Sequence, residues 1–269
     1  MAPTADVGVI GGSGFTELLP DLDHIEIDTP YGPPSGPIAI AEIGGRRVAF
    51  VNRHGPGHVF PPHRVPYRAN SWALRSLGVT KVISPCAVGS LRHDRKPGDL
   101  VVLDQLVDRT WGRTDTFWDQ PGPPGPVRAK HAHDGQPGGA VMHLTFADPY
   151  DAAMRATLVA AARGELGNEA VHDGGTVAVI QGPRFSTRAE SRWFAQMGWD
   201  VVNMTQHPEV ALLRELDIAV CGLALVTDYD AGVEEDASVA PVTMGQVFAV
   251  LAANVDRARR VLFRAIPNL

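Results

Sequence analysis

The chain has 269 residues, is 44% hydrophobic and 20% charged, and carries 24 Lys+Arg against 30 Asp+Glu for a net charge of -6. That composition excludes extended disorder and a fibrous or repeat array, and this length buries a substantial core without cross-links. Scattered basic residues argue against nucleic acid as a partner. The absence of a signal-like N-terminus or a window near the ~20 apolar residues of a span argues against membranes, and buried thiols at Cys86 and Cys221 fit the cytoplasm.

Short runs rich in Val and Ile, bounded by turn residues, predict buried strands at 7–10, 38–43, 48–51, 82–84, 100–103, 176–180 and 218–226. Helical patterns fall at about 67–77, 150–164, 187–197, 207–216 and 243–264. Thr187 and Glu190 have capping-box spacing, and Pro208 stands near a first helical turn. In the last helix Val247, Leu251, Val255, Ala258 and Leu262 form one apolar stripe. Strands come first in adjacent pairs and then alternate with helices, so the expectation is a single α/β domain, residues 1–269, with a central mixed β-sheet flanked by helices. A Pro/Gly-rich stretch at 120–139 reads as an irregular loop.

Six segments concentrate the residues that could do chemistry. Gly11-Gly12-Ser13-Gly14 follows the first strand; glycine turns let backbone N–H groups approach an anion, but a plain tight turn looks the same. A dinucleotide site would need a longer glycine pattern opening a helix, and Pro20 breaks any such helix. Arg53 and His54 end another strand, where a guanidinium fork suits phosphate oxygens. His54, His58 and His63 are interrupted by Gly and Pro and lack the helical i, i+4 geometry usual for a zinc pair of this spacing. Cys86, Ala87 and Gly89 end a third strand. Phe185 and Ser186 follow Gly182-Pro183, where the ring is either core or a stacking surface for a flat ligand. Asn203, Met204, Thr205 and His207 join a strand to a helix N-terminus, a place that favours anions. Asp228 and Asp230 follow a long apolar strand; they are either a solvated acidic turn or, if desolvated, carboxyls able to hold a proton.

Taken together, GGSG, RHG, TPYG, YRANSWAL, PGDLVVLDQLVDRT, GPRFSTRAE, VVNMT followed by PEV, and TDYD occur in an order and at intervals that resemble the trimeric purine nucleoside phosphorylase family, most closely its 5′-methylthioadenosine phosphorylase branch. The match runs from about Gly8 to Pro267. It implies a homotrimer with each site near a subunit boundary, no metal and no organic cofactor, and inorganic phosphate as co-substrate attacking the anomeric carbon. By the same resemblance Ser13, Arg53, His54 and Thr205 correspond to phosphate ligands, joined by backbone near Ala87. Cys86 stands where relatives carry a threonine that helps hold phosphate. Phe185, Ser186, Asn203 and Met204 would border base and ribose, and Asp228 and Asp230 would recognise the purine. His143, lent by a neighbouring subunit, and His207 would join Met244, Val247 and Phe248 at an apolar 5′ pocket.

Relatives acting on inosine and guanosine carry Asn in place of Asp228 and Glu in place of Ser186, so the resemblance implies a 6-aminopurine nucleoside, with Asp228 as proton donor and Asp230 accepting from the amino group. The competing readings are a broader purine nucleoside phosphorylase acting on adenosine or inosine, a nucleosidase using water, and a nucleotide-binding oxidoreductase built on the glycine turn.

Overall fold

Apolar runs of the first strands are buried on both faces, which places them inside a sheet covered by helices. A computed structural model describes residues 5–12, 22–119, 143–233 and 244–269, leaving aside the side chains at 244, 246–249 and 251–254. In chain order the elements are β1 (Val7–Gly11), β2 (Asp23–Ile25), β3 (Ile38–Ile43), β4 (Arg46–Asn52), α1 (Tyr67–Ser76), β5 (Lys81–Ser90), β6 (Leu100–Val102), β7 (Gln105–Arg109), α2 (Ala152–Leu166), β8 (Val171–Asp173), β9 (Thr176–Ile180), α3 (Arg188–Gln196), β10 (Val201–Asn203), α4 (Gln206–Glu215), β11 (Ala219–Tyr229) and α5 (Met244–Ala265).

The described strands form one mixed sheet with a path β2-β3-β4-β1-β5-β10-β9-β7, while β11 pairs with β5 and β6, and β6 with β8. β1 lies parallel to β4 and β5, β3 antiparallel to β4, and β10 antiparallel to β5. The expected mixed α/β architecture is therefore the one observed. Alternation along the strands sorts side chains between two cores. Ile10, Val82 and Val220 face α1 and α4 through Leu74, Leu212 and Leu213. Val9, Ile83 and Cys221 face α2 and α5 through Leu158, Ala162, Val261 and Leu262. Of the expected stripe on α5, Val255, Ala258 and Leu262 are buried.

Local signals explain where helices start. Asp151 accepts a hydrogen bond from the Met154 amide at 2.8 Å and caps α2, and Thr187 with Glu190 completes the capping box of α3. β5 runs six residues beyond the expected end at Ser84. Pro85 reads as a stop because it has no N–H to donate, yet β11 accompanies β5 as far as Ser90; the Pro85 carbonyl accepts from Arg53 on the opposite side of the strand, where no neighbouring strand asks for the missing N–H. Both cysteines are buried and unpaired, and burial pushes each thiol up to about 12. Among the described residues no helix is long and apolar enough to cross a membrane, and no group of three His, Cys, Asp or Glu side chains could hold a metal ion.

Leu213 is fully buried between α4 and the sheet. Leu213→Ala should cost about 2–5 kcal/mol of unfolding free energy through the cavity it leaves, readable as a lower urea midpoint at unchanged slope.

Candidate active site

One side of β5 is occupied by two different strands that do not meet. β1 pairs with Lys81 to Ile83, and β10 pairs with Gly89 and Ser90. No described strand covers residues 84–88 on that side. Such a break in strand order is where crevices form in open α/β sheets. The ends of β4, β10 and β11 reach this gap through Arg53, Asn203 and the pair Asp228 and Asp230, and Ala87 and Gly89 stay partly open although neighbouring residues of the strand are buried.

Arg53, just past β4, lies at one end of the gap and is 1% exposed. Its fork does not face open space. Nε and Nη2 donate to the two oxygens of Glu209 on α4 at 2.7 and 2.8 Å. Nη2 also faces the carbonyl of Ile10 at 2.7 Å and Ser84 Oγ at 3.0 Å, so its two hydrogens are shared among three acceptors, and Nη1 donates to the carbonyl of Pro85 at 3.2 Å. Burial disfavours the guanidinium charge, but Glu209 outweighs it and holds the arginine above its ordinary value. Nη1 lies 3.9 Å from where a Cβ on Gly12 would sit, so this corner of the guanidinium faces the glycine turn after β1. Bidentate binding of phosphate by Arg53, the geometry expected from its residue type, is thus replaced by a bidentate pair with Glu209 and a single corner turned to the turn.

His54 is also buried. Its Nδ1 lies 2.8 Å from the Phe60 carbonyl, and because a carbonyl only accepts, Nδ1 carries the hydrogen. Burial first, and the Arg53 charge second, lower this imidazole to about 4, so near neutrality the ring is uncharged and Nε2 is an acceptor. The ring stacks on His58 with centroids 4.2 Å apart.

Thr205 and Gln206 begin α4 beside Ala87. Asn203 Oδ1 accepts from the Thr205 and Gln206 amides at 2.6 and 2.8 Å, while its Nδ2 donates to the Ala87 carbonyl at 3.1 Å. The helix N-terminus that favours anions by its position has two of its amide donors taken by this carboxamide. Cys86 lies close to Arg53 and Gln206 as a neutral thiol, at most a weak donor.

At the other end, β11 bulges between Val226 and Asp228 against β5. The bulge turns both carboxylates over Gly89. A Cβ there would meet Asp228 Oδ2 at 3.3 Å and Asp230 Oδ1 at 3.4 Å, a tight fit that would push the carboxylates back by a few tenths of an ångström. The remaining oxygens are anchored outward: Thr227 Oγ1 donates to Asp228 Oδ1 at 2.6 Å, and the Ser191 hydroxyl donates to Asp230 Oδ2. Asp230 is buried and Asp228 half-buried. Burial raises Asp230 above the usual carboxylate range against the opposing pull of Ser191; the Ser186 hydroxyl approaches the same carboxylate without completing a hydrogen bond. The desolvation that would let a carboxyl here hold a proton is present at Asp230. Phe185 is 38% exposed, outside the core.

Between these ends lies Met204. Gly182, at φ +61°, is packed so closely that an added Cβ would fall 2.6 Å from Met204 Sδ. Arg113 draws the two turns together, donating through Nη1 to the carbonyls of Met204 and His207 at 2.9 and 2.6 Å and through Nη2 to that of Gln181 at 2.7 Å. The buried His207 ring is directed at Asp108 and Asp115, at 3.3 and 3.7 Å. His143 is exposed in a loop. Ser13 and the side chains of Met244, Val247 and Phe248 lie outside the described residues. Sequence reasoning missed Glu209, Ser84, Ser191 and Arg113; the only hint for Glu209 was an acid just after proline in a first helical turn.

The depressed His54 gives a sign to the pH dependence of stability. Between about 4 and 6.5 the unfolded chain binds the proton and the folded chain does not, so His54 removes stability as pH falls through that window. The urea midpoint should drop over this range, and His54→Gln should drop less steeply.

The pattern of the phosphorylase superfamily matches residues 6–267. A purine nucleoside phosphorylase of Streptomyces coelicolor is 51% identical over 266 residues, covering 98% of this chain and 89% of the relative. An S-methyl-5′-thioadenosine phosphorylase of Mycolicibacterium smegmatis is 51% identical over 261 residues, covering 97% and 90%. Among solved structures, methylthioadenosine phosphorylase from Schistosoma mansoni in complex with adenine superposes with a TM-score of 0.85 at 35% identity, covering 98% of this chain and 91% of that one. With its gap beside β5, its buried arginine and its paired carboxylates, this chain belongs to the phosphorylase superfamily.

Proposed function

We propose that the protein catalyses phosphorolysis of 5′-methylthioadenosine, giving adenine and 5-methylthioribose 1-phosphate, a salvage step for purine and methionine. The observation that carries this reading is the pair of inner oxygens, Asp228 Oδ2 and Asp230 Oδ1, over Gly89. A 6-aminopurine offers an amino donor beside a ring-nitrogen acceptor. Two carboxyl oxygens match that edge only if one accepts and the other carries a proton. Burial raises Asp230, one of the pair, so the site favours holding a proton. A 6-oxo purine presents two acceptors instead, a mismatch on the order of 1–3 kcal/mol.

The distance fits a nucleoside. Pro85, whose carbonyl receives Arg53, and Gly89 are four residues apart on one strand, about 13 Å at strand rise. Phosphate binds among the glycine turn with Ser13, Arg53, His54, Thr205 and the backbone at Cys86 and Ala87. The uncharged Nε2 of His54 accepts the hydroxyl of hydrogen phosphate. As a phosphate oxygen bonds to the anomeric carbon, the glycosidic bond breaks, its electron pair passes to the purine, and Asp228 protonates the imidazole-ring nitrogen. The phosphate charge stabilises the oxocarbenium-like transition state, and the proton keeps the base from leaving as an anion. Asp230 accepts from the amino group, Phe185 covers the base with Ser186 beside it, and Met204, positioned next to Asn203, lies against the ribose. His143 of a neighbouring copy, His207 and the apolar Met244, Val247 and Phe248 receive the methylthio group. With it go the other expectations of the resemblance: one phosphorylase domain, a homotrimer and a cytoplasmic location, with phosphate as co-substrate and no cofactor. The Streptomyces relative's name keeps a broader purine nucleoside phosphorylase as the second reading.

A substrate panel tests the class, the base and the 5′ group together. Base release from methylthioadenosine should require phosphate and exceed release from adenosine, and inosine should fall about tenfold or more below both in kcat/KM. Inosine turned over as well as methylthioadenosine would overturn the roles of the two carboxylates, and release without phosphate would indicate a nucleosidase. Asp228→Asn should lower kcat roughly 100-fold or more while KM for phosphate stays within a few-fold.

A further inference from the structure

We infer that Glu209 is a positioning residue for the phosphate site, acting through Arg53. A guanidinium has five N–H donors. Those on Nε and Nη2 and one on Nη1 go to Glu209, Ile10, Ser84 and Pro85, which leaves one hydrogen on Nη1, on the corner facing Gly12. An arginine held by its own side chain alone would sample many rotamers and turn its whole fork to the anion. Here the fork is fixed edge-on and the anion meets one aimed N–H.

Glu209 is itself fixed. Ser84 Oγ donates to Glu209 Oε1 at 2.6 Å and accepts from Arg53 Nη2 and from Gln206 Nε2, the latter at 2.7 Å, so the hydroxyl's single proton has one destination. Gln206 Oε1 in turn accepts from Tyr150 at 3.0 Å. Every member is buried, so the carboxylate cannot exchange Arg53 for water. Glu209 also sets charge. It cancels Arg53 inside the protein, and His54 adds no positive charge near neutral pH. A bound hydrogen phosphate therefore keeps most of its negative charge for the ribosyl cation instead of having it neutralised by the cradle.

This inference rests on the phosphorolysis proposed above, and its test separates the two. For wild type, Glu209→Gln, Glu209→Asp and Ser84→Ala, the quantities are kcat, KM for inorganic phosphate, KM for methylthioadenosine, and the rise in melting temperature produced by inorganic phosphate alone. Glu209→Gln keeps the shape but places an amide donor against Nη2. It should raise KM for phosphate roughly tenfold or more, leave the nucleoside KM within about twofold, and shrink the phosphate-induced melting shift. Glu209→Asp should fall between wild type and Gln, and Ser84→Ala should move the same way by a few-fold. If Glu209→Gln does not fold, Ser84→Ala decides, since it removes only one hydroxyl. Phosphate KM unchanged in a folded variant, or both KM values rising together, would overturn the positioning role. A wild type that neither melts higher with phosphate nor needs it for base release would overturn the parent reading as well.

Discussion

Everything at the site depends on β5 having two partial neighbours on one side. β1 leaves it after Ile83 and β10 joins it at Gly89, and the uncovered strand between them still carries carbonyls that must be satisfied. Side chains meet that need: Arg53 takes the Pro85 carbonyl and Asn203 the Ala87 carbonyl. The residues that close the backbone account of the gap are therefore those that shape it as a binding site. β11, continuous along the opposite side of β5, keeps the floor rigid while the gap stays open.

Charge is distributed unevenly along this floor. At the Arg53 end a cation and an anion are paired inside the protein, and the neighbouring imidazole is uncharged. At the Gly89 end two carboxyls converge, and burial raises one of them. A buried pair such as Arg53 and Glu209 contributes little net stability compared with apolar packing, but it fixes geometry, and breaking it leaves one charge stranded. The two ends thus suit an anion on one side and a proton donor on the other, the polarity that cleavage of a glycosidic bond by phosphate requires.

Much of this was legible in the sequence. Strands at 38–43 and 176–180 and all five helices follow from apolar periodicity and caps, since those patterns are local. β2, β8 and β10, three residues each, and the exposed edge strand β7 carry too little pattern to be read and exist because a neighbour pairs with them. The site segments were legible as loops after strands. Their internal partners were not, because Glu209 lies 156 positions from Arg53 and Ser191 39 positions from Asp230, and nothing local distinguishes them. The same limit explains the fork of Arg53: residue type announces an anion ligand, but only tertiary structure reveals a carboxylate already occupying it.

The segment after β7 is bolted to α4 at both ends of that helix. Arg113 holds the His207 carbonyl at its start, and Thr116 with the Phe117 amide holds Glu215 at its end, each at 2.7 Å from a carboxylate oxygen. A rod pinned at two points cannot slide along its axis or roll without breaking one of the pins. The helix that carries Glu209 and the turn that carries Met204 therefore behave as one rigid jig, and in the reaction proposed above the spacing between nucleophile and sugar is machined into the backbone before any ligand arrives.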